Sequence, residues 1–264
     1  KLIIMSGKGG VGKSSVASAL ALGLSKIGHR VGLLDIDLHG PSIPHMFGMA
    51  GPFEVNTEKR IVPWRYNPHL RIISIECLLQ DRDSPVIWRG PIKHGVIRQF
   101  IHGVEWGDLE FLIIDSPPGT GDEPLSVAQS IADAKAIIVT TPQELALADV
   151  RKSINFCRNV HMEILGLVEN MSGYSCPHCH HQLPLFGKGG GPLTASRMNV
   201  RFLGRLPFDP LVVTAGDEGW RCFDSGEENP FVEAMTNLVS DVVGSCNDSA
   251  KPSTGKNASR SNGK

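Results

Sequence analysis

The chain has 264 residues, 41% of them hydrophobic and 20% charged, with 29 glycines and 18 prolines, a globular, loop-rich profile rather than a fibrous or disordered one. Lys plus Arg total 26 against 27 Asp plus Glu, a formal net charge of −1, so no overall basic field exists to hold nucleic acid or an anionic membrane, and neither is expected as a partner. Six cysteines are too few for a disulfide scaffold and read as reduced thiols of a cytoplasmic protein. No apolar run reaches the roughly 18–20 residues of a membrane span. The opening Lys1-Leu2-Ile3-Ile4-Met5 shows neither a signal core nor a cleavage site, and its lack of an initiator Met reads as a trimmed start or a start inside a longer chain.

Short apolar, β-rich runs alternate with helical patterns. Leu2–Ser6 leads into a glycine loop and a helix from about Lys13 to Ile27, closed by Gly28. His29–Ile36, Leu109–Asp115, Lys135–Thr141, Glu163–Glu169 and Arg201–Leu206 are the following runs. They are continuously apolar, as strands covered on both faces are. After Thr141 the spacing predicts a capped helix, with Thr141 as cap, Pro142 at the first helical position and Glu144 completing a capping box. Leu147, Val150, Ile154 and Cys157 then follow helical spacing, which makes Cys157 a core thiol. Repeated strand–helix units predict one α/β domain, a doubly wound, mostly parallel sheet with helices on both faces.

Two segments break the rhythm. Gly51–Arg89 carries Pro52, Pro63, Pro68 and Pro85 around strand-like pieces such as Leu70–Ile75, and reads as an insertion or hairpin beside the sheet. Met171–Pro192 is rich in Cys, His and Gly with little regular pattern, and a long loop of that kind is often functional. The domain is expected over residues 1–245, followed by a disordered tail over 246–264.

Gly7-Lys8-Gly9-Gly10-Val11-Gly12-Lys13-Ser14 matches G-x-x-x-x-G-K-[ST], with a strand before it and a helix after it. Such a loop wraps its N–H groups around phosphate at a helix N-terminus. Lys13 is expected to reach the β- and γ-phosphates and Ser14 to ligate Mg²⁺, with Ser15 beside them at the site. Lys8 is a second lysine inside the loop. The form Lys-Gly-Gly-x-Gly-Lys-Ser resembles the deviant Walker A loop of the nitrogenase iron protein and MinD superfamily of P-loop NTPases. That resemblance implies that Lys8 reaches a partner subunit's nucleotide.

Asp35 and Asp37 end the second run, and Asp115 ends Phe111–Asp115. Carboxylates at such strand ends serve an oriented water and a metal. Asp37 stands where the superfamily it resembles has its switch position, which implies water positioning, and it is also a candidate for the magnesium site; Asp115 is assigned to Mg²⁺ as a Walker B candidate, and Asp35 to Mg²⁺ or loop geometry. Gly119, in Pro117-Pro118-Gly119-Thr120-Gly121-Asp122, is placed to offer its N–H to the γ-phosphate. No Asn-Lys-x-Asp motif for guanine is present. Asn170 sits at a strand tip where it can meet an adenine edge; the family resemblance adds the Leu206-Pro207-Phe208-Asp209-Pro210 loop, with Pro207 closing on the base.

Cys176-Pro177-His178-Cys179 supplies half a tetrahedral metal site. Three readings are open: a redox dithiol, structural zinc, or an iron–sulfur cluster shared between two subunits whose cysteine pairs together give four ligands. Glu169-Asn170-Met171-Ser172, this Cys-x-x-Cys and Phe186-Gly187-Lys188-Gly189-Gly190 resemble the Mrp/ApbC family of iron–sulfur cluster carrier ATPases. Asp115–Asp122, Asp37–Ser42, Pro207–Pro210 and Ala215–Gly219 extend the resemblance over about residues 2–240. It implies ATP binding and slow hydrolysis, a homodimer, and a [4Fe-4S] cluster held by Cys176 and Cys179 of two chains. Cluster donors and recipient apoproteins would be the partners. His39 departs from the aromatic residue common at its position, and Cys77, Cys157, Cys222 and Cys246 match nothing in the cluster motif. The rivals are a MinD- or ParA-like positioning ATPase and a zinc-stabilised dimeric ATPase without cluster transfer. Against the first, the helical stripe Phe231, Met235, Leu238 and Val242 faces a core, and 229–244 holds no Lys or Arg.

Overall fold

The computed structural model describes residues 1–37, 40, 42–49, 53–78, 90–131, 133–176, 178–179, 181–218 and 229–249. Expectations placed on Leu38, His39, Pro41, Pro177, His180, Gly219, Cys222 and residues 250–264 lie outside these, as does the side chain of Cys77.

Ten strands and eight α-helices are described. The strands are β1 Leu2–Ser6, β2 Val31–Asp35, β3 Trp64–Asn67, β4 Leu70–Ser74, β5 Phe111–Asp115, β6 Lys135–Thr140, β7 Glu163–Glu169, β8 Tyr174–Ser175, β9 Gln182–Leu183 and β10 Phe202–Arg205. The helices are α1 Lys13–Lys26, α2 Ile43–Met46, α3 Gly90–His102, α4 Asp122–Ser130, α5 Glu144–Asn159, α6 Gly190–Arg197, α7 Pro210–Glu218 and α8 Pro230–Ser249. Eight strands form one sheet in the order β10-β7-β6-β1-β5-β2-β4-β3. All its pairings are parallel except β3 with β4.

The apolar runs are strands because both faces of the sheet are covered. Along β1, Leu2 and Ile4 belong to one buried cluster and Ile3 and Met5 to the other; β2 divides Val31 and Leu33 from Leu34 in the same way. Helices α1 and α8 pack on the first face, and α5 with Phe100 of α3 on the second. Each fully buried Leu or Ile contributes about 1.5–3 kcal/mol relative to exposure. The sheet is wound outward from β1, which lies between β5 and β6. In an open α/β sheet such a switch point, at the carboxyl ends of the strands, is where a ligand binds. Among the described residues no helix is long and apolar enough to cross a membrane.

Three local expectations are corrected. Helix α5 starts at Glu144 with Gln143 as N-cap in an extended conformation and no side-chain cap, so Thr141 does not cap it. Thr141 Oγ1 is instead buried without a hydrogen bond, because the segment before the helix is held by packing: the Pro142 carbonyl lies 2.8 Å from where a Cβ on Gly190 would stand. Met171–Pro192 is not irregular throughout. It folds as a two-stranded antiparallel hairpin, with Tyr174 opposite Leu183 and Ser175 opposite Gln182, and then enters α6. Finally, α8 runs to Ser249, past the expected boundary at 245. Its start is fixed by Asn229, whose Oδ1 accepts the N–H groups of Phe231 and Val232, and near its end Ser245 Oγ donates to the Asp241 carbonyl at 2.7 Å. In the Gly51–Arg89 segment, the hairpin expectation is met by β3 and β4, the latter a full member of the sheet beside β2.

Candidate functional site: a phosphate loop and a cysteine hairpin

The loop between β1 and α1 surrounds a cavity of about 370 Å³ lined by Lys8, Gly9, Gly10, Gly12, Lys13, Ser14 and Ser15, with Asp37, Gly40, Ser42 and Pro118 opposite. Gly7 and Val11 complete the loop, with Val11 buried in the core. A Cβ on Gly7 would run into the backbone of Asp149 in α5, so the absence of a side chain lets the loop sit directly on that helix. Gly12 has φ +78° and caps α1. It combines a left-handed conformation with a close approach to the Asn170 amide, a position only glycine fills without strain.

Lys13 is buried between two carboxylates, 2.5 Å from Asp115 Oδ1 and 3.5 Å from Asp37 Oδ2. Burial alone would lower its pKa, but Asp115 and Asp37 outweigh that and hold it above the ordinary lysine value. Asp115 is fully buried. Burial lifts its carboxyl above the usual range and Lys13 opposes the lift. Its Oδ2 has no hydrogen-bond partner. Next to α1's N-terminus and Ser14, a buried, unpaired carboxylate oxygen suits a hard divalent cation, which takes oxygen ligands. Residues that fit Mg²⁺ are therefore present.

Asp35 has a different role. Its Oδ1 accepts the Asp37 N–H at 3.1 Å and its Oδ2 accepts the Ser74 hydroxyl at 2.9 Å. Burial first, and then the neighbouring Asp115, push its pKa well above the ordinary value. It thus supports the backbone that presents Asp37, the second of its two expected roles. Ser74, on the adjacent strand, carried no signal in the sequence.

Gly119, Asn170 and Pro207 do not line the cavity. The Gly119 N–H, expected to face phosphate, donates to the Ser6 carbonyl at 2.8 Å. The Asn170 amide, expected at a base, donates from Nδ2 to the Val11 carbonyl at 2.9 Å. Pro207 lies in the loop after β10, whose neighbour Phe208 donates its N–H to the Gly173 carbonyl at 2.8 Å. Glu169 has no individual role in the sequence reading, yet it is fully buried and hydrogen-bonded. The available signal was a carboxylate ending an otherwise apolar strand.

At the same end of the sheet the β8–β9 hairpin carries Cys176, half-buried, and Cys179, exposed. The Cys176 N–H donates to the His181 carbonyl at 3.1 Å. The backbone N–H groups of Cys179 and then His178 hold the Cys176 thiol below the ordinary cysteine value, which favours the thiolate that binds metal. Phe208 supports the hairpin from below, its ring centroid 6.2 Å from Tyr174 and 6.1 Å from Phe186. Among the described residues no group of three or more His, Cys, Asp or Glu could hold a metal ion. Cys157 is a core thiol pushed up to about 11 by burial, and burial also raises the half-buried Cys246.

Comparison with known proteins places the chain among relatives of similar length. A cytosolic Fe-S cluster assembly factor, a NUBP2 homologue of Dictyostelium discoideum, is 46% identical over 244 residues, covering 90% of this chain and 92% of that one. An iron-sulfur cluster carrier protein of Methanocaldococcus jannaschii is 48% identical over 247 residues, covering 92% and 85%. Among solved structures, a nucleotide-binding protein of Archaeoglobus fulgidus in complex with ADP, with cobalt, superposes with a TM-score of 0.75 at 39% identity over 87% of this chain and 89% of that one. The family model described as ParA, NUBPL iron-transfer P-loop NTPase, matches residues 1–243, and the chain belongs to that family.

Proposed function

We propose that this chain is an ATP-hydrolysing carrier that holds a [4Fe-4S] cluster, its cargo, between the cysteine pairs of two copies and transfers it to apoproteins. The observation that carries the reading is the surface hairpin presenting Cys176 and Cys179 at the end of the sheet that bears the phosphate loop. Two thiols are half of a four-cysteine cluster site, and a second copy supplies the other half. The names of the relatives support the cargo and a cytosolic setting.

In the pocket, Lys13 exchanges its carboxylate partners for β- and γ-phosphate oxygens, while the N–H groups of Gly9 to Ser15 wrap the phosphates. Ser14 and Asp115 would hold Mg²⁺, which supplies neutralisation of phosphate charge. Asp37, held by Asp35, orients the attacking water. Lys8 reaches the nucleotide of the second copy, and Asn170 and Pro207 flank the base. The switch between ATP and hydrolysed nucleotide is coupled to loading or release of the cargo.

The test is iron, acid-labile sulfide and zinc per chain after oxygen-free reconstitution. The expected result is about two irons and two sulfides per chain without zinc, one four-iron cluster per pair of chains. Stoichiometric zinc that iron fails to displace would overturn the reading in favour of a structural metal.

A further inference from the structure

The tip of β7 serves two loops through adjacent side chains. The buried Glu169 carboxylate accepts the Ser172 hydroxyl at 2.7 Å, the Gly191 N–H at 2.6 Å and Arg205 Nε at 3.3 Å. Ser172 precedes the cysteine hairpin and Gly191 follows it, so one carboxylate clasps both ends of the segment carrying Cys176 and Cys179. The fit at Gly191 is close, since a Cβ there would stand 2.8 Å from Glu169 Oε2. The clasp also places a negative group at the N-terminus of α6, the end that favours one.

Asn170 follows directly. Its N–H donates to the Thr140 carbonyl at 2.7 Å, and its Nδ2 donates to Val11 inside the phosphate loop. One dipeptide therefore holds the base of the cysteine segment with one side chain and the floor of the phosphate loop with the next. Both oxygens of the Glu169 carboxylate are occupied by Ser172, Gly191 and Arg205, and the residue is not among those lining the nucleotide cavity. An unpaired buried carboxylate is costly, so breaking any one of these bonds is opposed by the need to keep the charge paired.

We propose that Glu169 and Asn170 are positioning residues that couple the nucleotide pocket to the cysteine hairpin. A shift of the Val11 carbonyl on nucleotide binding is passed to Asn170, and across one peptide unit to the Glu169 clasp. Linkage makes the effect reciprocal between the two sites. The inference rests on the proposed roles of both sites, and it is tested without any cluster.

The experiment uses the full chain, stripped of metal at the cysteines. The rate of alkylation of Cys176 and Cys179 by iodoacetamide is followed by mass spectrometry, with and without Mg²⁺ and the non-hydrolysable analogue adenylyl imidodiphosphate. The parent chain is expected to show rates that differ by about fivefold or more between the two conditions. Glu169→Gln is expected to bring that ratio to within about twofold of unity, while its affinity for the analogue, measured by calorimetry, stays within about twofold of the parent's. A parent chain with no nucleotide response would overturn the proposal. So would a Glu169→Gln variant in which both rates rise equally and the ratio survives, the result of mere loosening. If Glu169→Gln fails to fold, Ser172→Ala removes one clasp bond and leaves the carboxylate with Gly191 and Arg205. It is expected to cut the ratio by about half, and an unchanged ratio overturns the proposal. Zinc in place of iron would sink the cargo reading and leave this ratio intact, so the two failures are distinguishable.

Discussion

The nucleotide pocket and the cysteine hairpin lie at the same end of one sheet, yet they are built in opposite ways. The pocket is set into rigid strand tips, with Lys13 buried and ion-paired and Asp35 and Asp115 fully buried. The hairpin has two-residue strands, a half-buried Cys176 and an exposed Cys179. The first site carries its own counter-charges and is organised before any ligand arrives. The second offers two thiols and, among the described residues, no third ligand. Preorganisation suits a group that must stabilise the same transition state repeatedly. Exposure and incompleteness suit a group that must be picked up and given away.

The largest effect that would test this contrast is at Lys13. Lys13→Ala is expected to lower ATP turnover by about 10²–10³-fold and to cost up to about 3 kcal/mol of stability, because Asp115 loses its buried partner. Steady-state phosphate release and denaturant unfolding would measure the two. Reconstituted iron per chain should hold, and if it fell in step with turnover the sites would not be separable. The converse change, Cys176→Ser, is expected to abolish bound iron and sulfide while leaving nucleotide affinity within about twofold; loss of both would again merge the sites.

A subtler probe is pH. Burial and the neighbouring Asp115 raise the Asp35 pKa in the fold above its ordinary value, so the stability it contributes is expected to fall as pH rises above about 4, the ordinary aspartate value. Asp35→Asn, which has no proton to lose, should remove that slope from a series of thermal melts. A slope identical to the parent's would mean that Asp35 is ionised in the fold. The smallest effect is expected at Thr141, whose buried hydroxyl has no partner. Thr141→Val should be neutral or stabilising by about 1 kcal/mol, and a clear loss of stability would reveal a partner for that hydroxyl.

Much of the pocket was legible because its chemistry is local. Eight consecutive residues define the loop, and Asp37 and Asp115 end runs whose unbroken apolarity already marked them as buried strands. What was not legible depends on tertiary partners. The acceptable capping sequence at Thr141 was overridden because Pro142 packs against the glycine segment at 187–190. The hairpin around the cysteines is too short to show an alternating pattern, and it is held by Phe208 from a distant loop. The place of Asn170 at a strand tip was visible in the sequence, while the Val11 carbonyl that receives its amide was not. Glu169 and Ser74 acquire their roles only when strands far apart in the chain become neighbours.

The two margins of the main sheet have a consequence for assembly. Both end in four-residue strands whose register is interrupted, between Phe202 and Gly204 on one side and between Arg65 and Asn67 on the other. Pro63 and Pro68 flank the second of these, and Arg205 turns its side chain back toward Glu169. Short, shifted borders, one of them flanked by prolines, are poor templates for continuing a sheet into a neighbouring molecule. Two copies meeting border to border would find few aligned N–H and C=O groups to exchange. If two copies associate as proposed, the rims offer little to the contact and the strand ends, which carry the phosphate loop and the cysteine hairpin, remain for it.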